Sequence, residues 1–172
     1  MNLGKSNMQE QPLTITRVFD APLELIWQAW SQPEQLRLWS SPNNYTIPFY
    51  NADFRVGGKY HMCMRSADGQ NFYSAGTYKE IIPMKRIVWN DGFADENGNI
   101  ISADIYGMSD LPLEQEISVS FEEENNKTKT ILEHSGIPQG DTFEQMKIGW
   151  NEYFDKLEDT LKIKEGDKYG SL

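Results

Sequence analysis

The sequence holds one cysteine, Cys63. No intramolecular disulfide can form, and one thiol cannot supply a thiolate metal site. Histidine is nearly as scarce, with His61 and His134 alone, which argues against a histidine-rich metal centre. Positive charge is short as well: 16 lysines and arginines face 26 aspartates and glutamates, for a net charge of -10. Phosphate recognition needs a clustered basic surface, so nucleic acid is not an expected partner. The acidity reads as a solubility feature. No apolar run approaches the roughly 20 residues of a membrane span. The opening segment MNLGKSNMQEQPL has neither the apolar core nor the cleavage site of a secretory signal, and a cytoplasmic location is expected. Also missing are the GxSxG elbow, the P-loop, GxGxxG, HExxH and CxxC. No cofactor is implied.

What the chain does hold is enough for one core. Its 172 residues fit a single domain, and the aromatic share is 12%, with five tryptophans. Aromatics bury large areas and supply material for a core or a pocket wall. Residues 12–164 are read as one domain between tails at 1–11 and 165–172.

LTITRVF at 13–19 alternates and is β-branched, which predicts a strand. Asp20 is a candidate N-cap, with Pro22 in the first turn of a helix over 22–31. Leu23, Ile26, Trp27 and Trp30 sit there at helical spacing. A second short helix starts near Pro33, carries Leu36 and Trp39, and ends at SSPN, 41–44. Strands are expected at 45–55, 59–66, 72–82 and 85–93, separated by Gly57-Gly58, by Asp68-Gly69 and by Pro83. Residues 100–113 read as an irregular connection. The last hairpin is the clearest. Ile117, Val119 and Phe121 share a face in 116–123, and Thr128, Thr130, Leu132 and His134 share one in 127–135.

A final helix over 142–163, capped by Asp141 or Thr142, carries a stripe of Phe143, Met146, Trp150, Tyr153 or Phe154, Leu157 and Leu161. It should be roughly 30 Å long. A sheet must curl to cover such a stripe. The glycines at 57–58, 76 and 92 are candidates for the bends. The fold class is therefore α+β: a curved antiparallel sheet of six to seven strands around a long C-terminal helix, with two short helices after the first strand.

This order resembles the START-like helix-grip superfamily, also called SRPBCC. Within it the sequence is similar to the family of activator of heat-shock-protein-90 ATPase homologues. The matching pieces are DAPLELIWQAWSQPEQLRLW (20–39), FRVGGKYHMCMRSADG (54–69), GTYKEIIPMKRIVW (76–89), FADENGN (93–99), VSFEEENNKTKTILEHSGIP (119–138) and GWNEYFDKLEDTL (149–161). The resemblance implies a hydrophobic cavity between sheet and long helix. It also implies a ligand of lipid, polyketide or flavonoid type, or a chaperone or other protein partner. A minority of the superfamily are cyclases or hydrolases.

Trp39, Tyr60, Met62, Met64, Tyr78, Trp89, Phe121, Leu132, His134, Met146 and Trp150 are the candidate ligand-binding residues. Methionine is flexible and polarizable, and tryptophan and tyrosine offer flat faces with a polar edge, which suits planar ligands. Plain core packing is the competing reading for each. His134 is open to three readings: a rim histidine bonded to backbone, a polar handle for a ligand, or a general base. Glu80 shares a face with Tyr78 if its strand is regular, where Arg86 is its candidate partner. His61 is expected to be exposed and idle, and Asp91 and Asp104 to be solvated. Trp27, Trp30 and Trp39 either line a cavity mouth or anchor the short helices. Non-catalytic binding of a hydrophobic small molecule is the favoured function, ahead of an interaction module and an enzyme.

Overall fold

The computed structural model describes residues 11–169, with side chains described as far as 163. Of the expected tails at 1–11 and 165–172, residues 1–10 and 170–172 lie outside the described residues, while 165–169 belong to the last helix. Seven strands form one antiparallel sheet: β1 (Leu13–Phe19), β2 (Thr46–Ala52), β3 (Lys59–Arg65), β4 (Asn71–Ile82), β5 (Arg86–Ala94), β6 (Gln115–Glu124) and β7 (Lys127–Ser135). Their order across the sheet is β1-β7-β6-β5-β4-β3-β2. After β1 the chain leaves the sheet for α1 (Leu23–Ser31) and α2 (Pro33–Trp39) and rejoins it at the opposite edge. It then meanders back until β7 pairs with β1, Leu13 opposite His134. The last element, α3, runs Asp141–Tyr169, past the expected end near 163. The connection after β5 contains a 3₁₀ turn at Ala103–Tyr106.

Several local expectations need correction. Asp20 does not cap α1. Pro22 occupies the cap position without a side-chain bond, and the Leu23 amide donates to Glu123 Oε2 of β6 at 2.7 Å. A carboxylate at a helix N-terminus satisfies an orphan donor wherever it comes from in sequence. Thr142 does not serve the helix backbone either, because its hydroxyl donates to Asp110 Oδ2 at 2.7 Å. The β4 strand is not regular: a bulge falls between Tyr78 and Glu80. An extra residue reverses the facing beyond it. Ile81 therefore packs against the core, while Glu80 is exposed. Its carboxylate lies 3.5 Å from Arg86 Nε, the expected partner, but on the outer surface.

The stripe on α3 meets the concave face unevenly. Phe154 and Leu157 are fully buried and Leu161 nearly so. Phe154 meets Phe19 edge to face, with centroids 5.6 Å apart. Phe143, Met146, Trp150 and Tyr153, on the N-terminal half, are only half-buried. The helix thus packs tightly at one end of the sheet and stands off it at the other.

Candidate functional site

The stand-off encloses a cavity of about 460 Å³, within the roughly 300–1,000 Å³ of small-molecule sites. Alternation places its lining. On β3 the inward side chains are Tyr60, Met62 and Met64; on β5 they are Ile87, Trp89 and Asp91; on β6, Gln115 and Ile117; on β7, His134. Tyr50 of β2, Ser74 and Tyr78 of β4 and Phe93 of β5 also line the sheet side. Met146, Trp150 and Tyr153 close it from α3, and Trp30 and Trp39 from the short helices.

Of the expected ligand-binding residues, Trp39, Tyr60, Met62, Met64, Tyr78, Trp89, His134, Met146 and Trp150 are in the wall. Phe121 and Leu132 are not. Both point inward and are buried, but they lie farther along β6 and β7, where the sheet meets the packed half of α3. Phe121 is covered by Trp27 and Trp30 instead. The tryptophans of the short helices divide their roles. Trp30 and Trp39 meet edge to face at 4.7 Å and line the cavity, and Trp39 Nε1 donates to the Ala29 carbonyl at 3.1 Å. Trp27 is wedged between Phe54 and Phe121, away from the wall.

The polar residues form a row across the sheet. In register, Tyr60 lies opposite Gly76, Gly76 opposite Asp91, and Asp91 opposite Gln115. Gly76 has no side chain, so the Tyr60 ring lies over it; a Cβ there would come within 2.6 Å of Tyr60 Cε1. The Tyr60 hydroxyl thereby reaches across one strand and donates to Asp91 Oδ1. Asp91 is thus half-buried and bonded, not solvated as expected. Burial raises its carboxyl from the ordinary 3.8 to about 6, against the opposing pull of the Tyr60 bond. Burial, and next the Asp91 charge, hold the Tyr60 phenol well above its usual range. Asp104 is exposed, as expected.

Gly76 admits no larger residue without cost, since a Cβ would also sit 1.8 Å from the Asn90 carbonyl oxygen. Gly76→Ala is expected to destabilise by about 1–3 kcal/mol, as overpacking does. It should also break the Tyr60–Asp91 contact. A urea midpoint equal to the wild type's would contradict this close approach.

His134 closes the row. Its Nε2 lies 2.6 Å from Gln115 Oε1, and Trp150 Nε1 donates to its Nδ1 at 3.0 Å. A donor at Nδ1 requires the lone pair there, so the ring is the neutral Nε2–H tautomer donating to Gln115. Its partners are side chains, where a bond to backbone was one expectation. Burial lowers its pKa from 6.5 to about 4. Because Trp150 occupies the basic lone pair, His134 is placed to hold α3 to the sheet and not to abstract a proton.

His61 is on the convex face but not idle. It is half-buried beside Phe49 and Tyr73, with Nε2 3.2 Å from the Asp95 carbonyl. Among the wall residues outside the expected ligand-binding set are Asp91, Gln115 and Tyr50. The first had a signal, because the two-residue period that points Trp89 inward points Asp91 inward too. Among the described residues no cluster of histidine, cysteine, aspartate and glutamate could hold a metal, and no helix is long and apolar enough to cross a membrane.

A helix gripped by a curled antiparallel sheet, with a cavity at one end, defines the START-like class. Residues 20–162 match the family model described as Activator of Hsp90 ATPase homolog 1-like protein, and the chain belongs to that family. A solved Chromobacterium violaceum protein is 24% identical, with a TM-score of 0.73, covering 87% of this chain and 96% of that one. A Mycobacterium smegmatis protein is 24% identical, with a TM-score of 0.72 over 88% of this chain and 90% of that one. A Silicibacter pomeroyi protein of the same family is 18% identical, TM-score 0.72, covering 89% and 99%. At these identities the likeness is one of fold. No curated protein matches the sequence. Family and fold together point to a ligand-binding or Hsp90-associated module.

Proposed function

We propose that the chain binds a hydrophobic or aromatic small molecule, of lipid, polyketide or flavonoid type, in this cavity without transforming it. The observation that carries the reading is the stand-off of α3. Its half-buried stripe and the inward residues of β3 to β7 face each other across about 460 Å³. Trp39, Tyr60, Met62, Met64, Tyr78, Trp89, His134, Met146 and Trp150 would touch the ligand, with Phe121 and Leu132 behind them. The engaged lone pair of His134 and the outward Glu80 favour holding over chemistry.

Four tryptophans in the wall, Trp30, Trp39, Trp89 and Trp150, make their own fluorescence the probe. A ligand present at about 100 times its Kd should add roughly 2.7 kcal/mol. At this chain length that raises Tm by about 5–10 °C. A panel of fatty acids, polyphenols and aromatic amines that leaves both fluorescence and Tm unchanged would end the proposal.

The second reading is a chaperone-associated interaction module, favoured by the family's description. Docking needs a contiguous apolar patch. The exposed large apolar side chains include Val18, Leu38, Ile105 and Ile148, on four different elements, and Val56 in the connection between β2 and β3. That scatter supports the small-molecule reading. A cytoplasmic location belongs to the same proposal.

A further inference from the structure

The cavity wall is acidic and aromatic at once. Asp91 and the exposed Asp141 contribute carboxylates to it, and no lysine or arginine lines it. Among the described residues no cation comes within ion-pair distance of Asp91. Its Oδ1 accepts from Tyr60, while no described residue donates to Oδ2. Phenols surround it. Tyr50 and Tyr60 stack at 5.9 Å, Tyr78 leans on Tyr60 at 6.1 Å, and Tyr153 comes down from α3.

A half-buried carboxylate with no cation partner is costly. A ligand offering only a hydroxyl would be served as well by an uncharged amide at this position. A carboxylate ligand would set two like charges side by side. An ammonium group gains from both halves of the arrangement: a charge-assisted bond to the open carboxylate oxygen, and the electron-rich faces of the tyrosines. We propose that the cavity selects a hydrophobic amine, its ammonium seated on Asp91 Oδ2 among Tyr50, Tyr60, Tyr78 and Tyr153. This rests on the reading of the cavity as a ligand site.

The groups facing Asp91 leave its charge as the variable one. Tyr60 from β3, Tyr50 from β2, Tyr78 from β4 and Tyr153 from α3 are all held above the usual phenol range by burial and stay neutral. His134 from β7 is neutral above about 4. Asp141 is the other carboxylate in the wall.

The test uses three probes sharing one aromatic body: naphthylethylamine, naphthylethanol and naphthylacetate, titrated against the full chain by tryptophan quenching. At about pH 7.5 the amine is expected to bind roughly tenfold tighter than the alcohol, and the carboxylate weakest. In Asp91→Asn the amine's advantage should vanish while the alcohol's affinity holds within about twofold. Lowering the pH of the wild type to about 5 protonates Asp91 and should weaken the amine alone, which carries the test if the variant does not fold. Equal binding of all three leaves the cavity reading standing and overturns the ammonium site. An amine advantage that persists in Asp91→Asn also overturns it. If none of the three quenches, the ammonium site is overturned, and the cavity reading is decided by the wider panel above.

Discussion

Phe154→Ala is expected to cost about 3–5 kcal/mol, the range for removing a buried aromatic ring. Phe154 has no exposed surface. Its ring meets Phe19 of β1 at 5.6 Å, Trp30 of α1 at 6.1 Å and Trp150 of its own helix at 6.2 Å. The Arg17 guanidinium lies 5.6 Å from the ring centroid, and its Nη1 bonds Asp155 Oδ1 at 2.6 Å. One side chain thus joins the long helix, the first strand and the first short helix at the packed end. The neighbours come from three elements whose backbones are pinned by their own hydrogen bonds, so collapse into the void should be partial. Natural domains have about 5–15 kcal/mol in all, so the variant should unfold at much lower urea. A midpoint within a few tenths of a molar of wild type would contradict the placement of this ring.

Asp91→Asn is expected to do the reverse and stabilise the protein at neutral pH by about 3 kcal/mol. The folded carboxyl titrates near 6 and the unfolded one at the ordinary 3.8. The folded state therefore binds the proton more tightly. Its penalty for ionisation is absent below about 3.8, grows as pH rises, and is complete above about 6. Asparagine keeps an oxygen for the Tyr60 hydroxyl and carries no charge to bury. The gain should shrink as pH falls through the same window and disappear near pH 4. His134 works in the opposite sense. Its folded pKa of about 4 lies below the ordinary 6.5, so stability is full above about 6.5 and is lost as pH falls toward 4. The two groups oppose each other between about pH 6 and 4, and removing Asp91 should expose the acid loss due to His134. Urea midpoints of wild type and Asp91→Asn across that interval read both effects. A variant less stable than wild type at pH 7 would show that the carboxylate earns its place in the apo protein.

Stability at Asp91 and function at Asp91 are then in tension. In the proposed ammonium site, the charge that destabilises the free protein is compensated once a cation enters. Stability and activity commonly conflict in this way at binding sites.

Much of the architecture was legible from local patterns. Strict alternation in 116–123 and 127–135 placed Ile117, Val119, Phe121, Leu132 and His134 inward, and all five are buried. The 3.6-residue stripe from Phe143 to Leu161 marked the face of α3 that meets the sheet. The period-2 rule failed at Glu80, because a bulge adds a residue without a distinctive sequence signal. Capping inference failed at Asp20, because the carboxylate that serves α1 comes from Glu123, one hundred positions along the chain.

The sequence by itself determined the kind and order of the main elements and which way most side chains face, since these follow from short-range periodicity and turn chemistry, while the family was legible from the resemblance of its motifs. It could not separate wall from core. Phe121 and Leu132 carry the same inward signal as Tyr60 and His134, and only the angle at which α3 leaves the sheet decides which of them meet empty space. Nor could it join Tyr60 to Asp91, 31 positions apart. That contact exists because β4 lies between them and places a glycine where any other residue would stand in the way, a coincidence of register that arises only when the sheet is assembled.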